Sequence, residues 1–236
     1  VWADPTHRLH PRFLDFYAAV DATLGACLDR LGDETTCFVL ADHGHTAIEA
    51  ECYPNAWLRA EGLLRFKTDA PKSFTDLDPC SRVFVLDPGR IYLNLRGRFA
   101  GGVVAPGAEA DELLARVAAG LLALTYQTEA GDGAPRRPVQ AVYRREEIYD
   151  GPQLEHAPDA VAHCNDGFDL KGAFARTALF GRSALTGMHT YDDALFSTNR
   201  PGVGTDGLAI TDLAPTIVAL LGCRATTMDG RALVAG

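Results

Sequence analysis

Several features of membrane-bound and nucleic-acid-binding proteins are missing from this sequence. It has no uninterrupted apolar stretch of about eighteen residues, and its N-terminus lacks the basic, apolar and small-residue succession of a signal peptide. Arginines occur singly or in pairs, not in longer runs, and the formal net charge is -9 at pH 7. These absences argue against a membrane protein and against binding to nucleic acid or to anionic membranes. They favour a soluble protein that acts on a small molecule.

Cysteine pairs of the C-x-x-C type are also absent. The six cysteines are scattered, and several stand in apolar stretches, as small hydrophobic residues do. This distribution argues against a disulfide framework or a zinc ribbon. It favours a reducing compartment, so we expect a cytoplasmic location. A targeting segment upstream of Val1 would reverse that expectation.

The chain is long and apolar enough, at 236 residues and 47% hydrophobic, for one large domain or for a core domain with an insertion. Apolar periodicity predicts helices over residues 11–31, 109–124 and 212–221, and strands over 35–41, 139–143, 160–163 and 193–197. A hairpin is predicted for residues 82–86 and 91–95 around a Pro-Gly turn. We therefore expect an α/β core formed by residues 1–46 and 157–236. Residues 47–156 are expected to form an inserted, smaller α+β cap.

The first candidate for chemistry is Asp42-His43, which directly follows a predicted buried strand. A carboxylate oxygen and an imidazole nitrogen are a ligand set that suits zinc, manganese or iron. Open parallel sheets place their ligands at the C-terminal ends of strands, where this dipeptide is expected. The alternative is a simple turn in which Asp42 caps local amides.

The second candidate is His189, which stands in the sequence Gly-Met-His-Thr before another predicted strand. A lone histidine in such a place is usually structural. Its combination with Asp42 and His43 favours a shared crevice at neighbouring strand ends. His45 is an exposed loop histidine or, since it lies beside the expected site, a residue that contacts substrate.

Two further residue types have competing interpretations. Arg96 and Arg98 follow a predicted strand, and they are either phosphate ligands or, more commonly for loop arginines, solvated side chains. Trp57 is expected to anchor the core of the insertion, not to stack on a base.

A collinear series of motifs resembles the type I phosphodiesterase/nucleotide pyrophosphatase family of the alkaline phosphatase superfamily. The first motif is the apolar strand followed by Asp-His-Gly at residues 39–44. The others, in order, are residues 55–58 with 61–64, 89–98, 146–152, 157–159, 187–189, 211–216 and 228–231. Each motif is only moderately specific, but together they span nearly the whole chain.

The resemblance implies an alkaline-phosphatase-like sheet with flanking helices, incomplete at the N-terminus, and two divalent metal ions. The metal ions would be zinc, with manganese or iron as alternatives. Asp42 and His43 would bind one ion and His189 the other. The family also has an Asp-x-x-x-His pair and a Thr or Ser nucleophile, which we expect upstream of Val1. Asp4 and His7 do not replace that pair, because their spacing is three residues and not four.

The function implied by the resemblance is metal-dependent hydrolysis of a small-molecule phosphate ester or nucleotide. Two alternatives remain open: a catalytically inactive module that serves binding or scaffolding, and a mutase-like phosphotransferase of the same superfamily. A sulfatase is disfavoured, since neither Cys-x-Pro-x-Arg nor Ser-x-Pro-x-Arg occurs in the sequence.

Overall fold

The computed structural model describes residues 4–128, 133–204, 207–223 and 227–234. The chain divides into two compact units: residues 1–44 with 191–236, called here the first unit, and residues 45–190, the second unit. Val1 lies outside the described residues. The cap expected over residues 47–156 stays a prediction. Within the described ranges, no helix is both long and apolar enough to cross a membrane.

The described residues form a mixed α/β structure with several small sheets. The helices are α1 (His10–Leu28), α2 (Pro54–Ala60), α3 (Ala108–Ala123), α4 (Arg145–Ile148) and α5 (Leu213–Leu220). The strands are β1 (Phe38–Leu40), β2 (Gly44–Ala47), β3 (Ala50–Cys52), β4 (Val83–Leu86), β5 (Arg90–Leu93), β6 (Val139–Arg144), β7 (Ala160–Cys164), β8 (Phe168–Leu170), β9 (Phe180–Gly181), β10 (Gly187–Thr190) and β11 (Phe196–Thr198). Neighbouring strands follow the orders β4-β5-β7-β6, β8-β3-β9, β1-β11 and β10-β2.

The second unit contains a continuous hydrophobic core. Its four-stranded sheet is antiparallel throughout, and alternate residues of β7 are buried. Helix α3 buries Leu113, Leu114, Val117 and Leu121, which recur at the spacing of one helical face. The predicted helix over residues 109–124 and the predicted strands over 139–143 and 160–163 are therefore confirmed. Two cysteines, Cys52 and Cys164, belong to this core as small apolar side chains.

The predicted hairpin is formed by β4 and β5, which pair from Val83 opposite Leu93 to Leu86 opposite Arg90. Gly89 in its turn has a φ of +79°, a conformation that favours glycine. A Cβ atom at this position would also lie 2.6 Å from the carbonyl oxygen of Ala162. Both the turn and the close approach of β7 therefore require glycine there.

Helix α2 is held in the second unit by one polar and one aromatic side chain, Asn55 and Trp57. The amide of Asn55 is buried; its Nδ2 donates to the carbonyl of Val85 at 2.8 Å, and its Oδ1 accepts from the Val85 N–H at 2.8 Å. Trp57 packs against the core, and a Cβ atom at Gly120 would lie 2.2 Å from its ring. Trp57 is thus a core anchor, as predicted.

A buried ion pair ties the loop after β5 to the start of β7. Nη1 of Arg98 donates to both carboxylate oxygens of Asp159, at 3.0 and 3.1 Å, and the Leu93 N–H donates to Oδ2 at 2.7 Å. Arg145 lies 3.5 Å from the same carboxylate. Burial raises the pKa of Asp159, while the Leu93 N–H and the two guanidinium groups oppose that rise. Both interpretations of Arg98 from sequence were wrong, because neither anticipated a carboxylate partner 61 residues away.

The first unit differs from the second, because Pro215 is the only buried apolar side chain among its described residues. Helix α1 confirms the predicted helix, although it ends at Leu28, and it buries no residue. Strand β1 confirms the predicted strand in a shorter form, but its expected burial is wrong, since Leu40 is 43% exposed. Its neighbour is β11. The two strands are antiparallel, whereas the prediction of ligands at the C-terminal end of this strand assumed a parallel sheet.

Two side chains fasten the C-terminal segment to α5. Asp212 accepts hydrogen bonds from the N–H groups of Arg231 at 2.9 Å and Ala209 at 3.1 Å. Thr216 donates to the carbonyl of Asp212 at 2.6 Å and accepts from the N–H of Leu233 at 2.9 Å. The motifs at residues 211–216 and 228–231 are therefore explained as partners in one structural contact.

We expect Arg98→Ala to lower the free energy of unfolding by about 3 kcal/mol, because it leaves the buried carboxylate of Asp159 without its main partner. The control is Arg116→Ala, which removes a pair with Glu61 whose side chains are 56% and 40% exposed. That change should cost less than about 1 kcal/mol. Urea unfolding followed by circular dichroism measures both, and equal losses would contradict this ranking.

The pH dependence of stability should show the contribution of Asp212. The N–H groups of Arg231 and Ala209 hold its pKa below the ordinary value of 3.8. A depressed carboxyl pKa stabilises the folded state above the unfolded-state pKa, and that contribution is lost as the pH falls through the folded-state value. Asp212→Asn should therefore weaken the fall in the urea midpoint at acid pH. The control is Asp229→Asn, which changes an exposed carboxyl group. Identical acid profiles for Asp212→Asn and the unmodified chain would show that Asp212 does not contribute to the pH dependence of stability.

Candidate metal centre

Asp42 and His43 form a pair of possible ligands in the first unit, just after β1. Nδ1 of His43 lies 2.9 Å from the carbonyl oxygen of Gly44. A carbonyl can only accept, so Nδ1 donates this bond, and Nε2 is the ring nitrogen that faces Asp42. That Nε2 lies 3.4 Å from Oδ1 of Asp42. Two ligands on one tetrahedral zinc ion, with bonds of about 2.0–2.1 Å, are separated by about 3.4 Å.

Strands β2 and β10 place His45 and His189 on one exposed surface of the second unit. The two strands are neighbours in a two-stranded sheet. Side chains alternate between the faces of a strand. Thr46 on β2, and Met188 and Thr190 on β10, point inward, while His45 and His189 are exposed. Both histidines therefore emerge on the solvent side.

The two imidazole rings contact each other across the strands. Their centroids are 5.4 Å apart and the planes are inclined at 60°. One ring nitrogen of His45 and one of His189 lie within 4.8 Å of each other. Gly187 has no side chain, and a Cβ atom there would lie 3.7 Å from Nε2 of His45. At this position the backbone of β10 therefore lies next to the His45 ring.

The residues predicted from sequence are thus found in two pairs. Asp42 lies beside His43 in the first unit, and His189 lies beside His45 in the second. The predicted convergence of Asp42, His43 and His189 in one crevice stays a prediction, as does contact of His45 with substrate. Sequence reasoning missed the pairing of His45 with His189, for which the only signal was two histidines next to predicted strand ends.

The N-terminal Asp4 serves a local turn. Its Oδ1 accepts from the N–H of Thr6 at 2.9 Å and from the Thr6 hydroxyl at 2.6 Å. These bonds hold the pKa of Asp4 below its usual value. The ring of His7 is likewise engaged locally, since its Nδ1 accepts from the N–H of Leu9 at 3.1 Å.

A buried polar network on β3 also escaped the sequence analysis. The hydroxyl of Tyr53 donates to the carboxylate of Glu51, and the guanidinium of Arg176 lies 5.0 Å from the Tyr53 ring centre. Burial and the bond to Glu51 raise the pKa of Tyr53 to about 12. Burial opposes ionisation of Glu51, but hydrogen bonds from Ser183 and Tyr53 outweigh it and lower the pKa. The network therefore keeps an ionised carboxylate and a neutral phenol inside the unit.

Comparison with known proteins gives one match. The family described as type I phosphodiesterase / nucleotide pyrophosphatase matches residues 4–192, a range that includes Asp42, His43, His45 and His189. No curated protein and no solved structure matches the chain. The family match confirms the resemblance seen in the sequence motifs. At the level of the family, it supports a phosphodiesterase- or pyrophosphatase-like hydrolase.

Proposed function

Because this chain belongs to the type I phosphodiesterase/nucleotide pyrophosphatase family, we propose that it forms part of a two-metal site that hydrolyses phosphate esters. The substrate would be a small-molecule phosphate ester or a nucleotide. The observation that carries the proposal is the 3.4 Å separation of Asp42 Oδ1 and His43 Nε2. It matches the spacing of two ligands on one ion, at a motif that lies within the family match.

In this proposal Asp42 and His43 bind one ion and His189 binds the other. Zinc suits this mixture of carboxylate and imidazole, and manganese or iron accept the same donors. Two divalent ions a few Å apart supply positive charge that stabilises both the attacking and the leaving oxygen in phosphoryl transfer. The contribution of the chain is to hold the ligands in place, and β1 and β10 provide the rigid backbone for that.

The nucleophile is proposed to be a Thr or Ser hydroxyl in a segment upstream of Val1. The exposed apolar stripe of α1 supports this proposal. Such a segment would complete an alkaline-phosphatase-like fold by packing against that stripe. In an α/β layer, the apolar stripe of a helix packs against a sheet. On α1 that stripe is open to solvent, with Leu14, Tyr17 and Leu24 exposed by 53%, 56% and 37%. Residues 47–156 are proposed to be the inserted cap.

The proposal predicts that the 236-residue chain alone hydrolyses an aryl phosphodiester negligibly with zinc or manganese. Removing a nucleophile that acts together with its metal ions costs several orders of magnitude in rate. Activity should appear when the upstream coding segment is restored. In that restored protein, Asp42→Asn and His189→Ala should each abolish turnover, as measured by release of the coloured phenol.

The control is His156→Ala, which removes an exposed histidine whose nearest carboxylate is that of Glu155, at 3.6 Å. Its activity should equal that of the restored protein. The chain alone could instead turn over the substrate, and a chelator and Asp42→Asn could each abolish that turnover. The nucleophile would then lie within these residues, and the proposal that it lies upstream of Val1 would be refuted. A restored protein that folds and binds metal without any turnover would favour the inactive module instead.

A further inference from the structure

We propose that His45 is a direct metal ligand and that, with His189, it forms a two-histidine chelate for the second divalent ion. This inference rests on the proposed function, since His189 is the ligand assigned there to that ion. It changes the role of His45 from a substrate contact to a ligand. It also raises the number of side chains that the chain offers to the second ion from one to two.

The first argument is the placement of the two rings by backbone pairing. His45 on β2 and His189 on β10 stand on neighbouring strands and face the same side. Side chains directly across two paired strands have Cβ atoms about 4.5–5.5 Å apart. The ring centroids of His45 and His189 lie 5.4 Å apart, so one ion can bind both imidazoles without a change of the backbone.

The second argument is the distance between the donor atoms. The two ring nitrogens lie within 4.8 Å of each other, and two ligands of tetrahedral zinc are about 3.4 Å apart. The difference is at most about 1.4 Å. Rotation about the Cβ–Cγ bond of histidine is broad and costs little, so small turns of both rings close that gap.

The third argument is the surroundings of the pair. Both rings are exposed, so neither is part of the packed core. Gly187 contributes no side chain beside the His45 ring, since a Cβ atom there would lie 3.7 Å from Nε2. The inward neighbours Met188 and Thr190 hold β10 in place, because Met188 packs on the hydrophobic core and Thr190 is only 7% exposed. The packing of these two side chains thus fixes the strand that carries His189.

The donors define the chemical class of the ion. Two neutral imidazoles suit borderline-soft divalent ions such as zinc, cobalt or nickel, and they suit magnesium or calcium poorly. The remaining coordination positions stay available to oxygen donors, including those of a phosphate ester. The chelate should therefore discriminate strongly between zinc and magnesium.

The test uses the full 236-residue chain and zinc ion alone, so that no turnover is needed. Calorimetry gives the affinity, and long-range proton–nitrogen spectra of histidine-labelled protein report which ring nitrogens shift on zinc addition. His45→Ala and His189→Ala should each weaken zinc binding at this pair at least about tenfold. His45→Asp should recover part of the affinity, because a carboxylate is also a zinc ligand. His156→Ala should change nothing.

The outcomes separate the two proposals. Loss of binding in His189→Ala but not in His45→Ala, with no zinc shift at the His45 ring, would overturn the inference and leave the proposed function in place. Zinc binding that is insensitive to both changes would overturn the assignment of His189 and the inference together. If His45→Ala fails to fold by circular dichroism, the nitrogen shifts of the unmodified chain and the His45→Asp affinity decide the question.

Discussion

The pairing of β2 with β10 is the constraint on which the candidate metal centre of the second unit depends. It brings together His45 and His189, which are far apart in the chain, and it sets the face on which both rings emerge. A shift of one residue in either strand would turn that strand's histidine inward and its buried neighbour outward. The chemistry of this surface is therefore decided by backbone register as much as by residue type.

The register of β10 is fixed by what lies on its other face. Met188 packs on the apolar core of the second unit, and Thr190 is buried. That core is closed by α3 and by the antiparallel sheet, and the pair of Arg98 with Asp159 ties the loop after β5 to the start of β7. Because Asp159 is buried and Arg98 is its main charged partner, loss of Arg98 is costly. The stability of the core and the geometry of the exposed histidines are thus physically connected.

The two pairs of candidate ligands, Asp42 with His43 and His45 with His189, have different origins. Asp42 and His43 are adjacent in sequence, and a local hydrogen bond from Nδ1 of His43 to the carbonyl of Gly44 orients Nε2 toward Asp42. His45 and His189 are brought together only by strand pairing. The first pair thus needs little beyond its own strand end, whereas the second depends on the folding of a whole unit.

The sequence by itself determined the family and the main helices and strands, and it singled out Asp42, His43 and His189 as candidate ligands, because periodicity and short motifs are local properties of a chain. It misjudged the burial of β1, the partners of Arg98 and the association of His45 with His189. Each of these depends on contacts between distant segments: β1 with β11, Arg98 with Asp159, and β2 with β10. Only the tertiary structure decided them, since strand register and burial are set by packing that no single segment encodes.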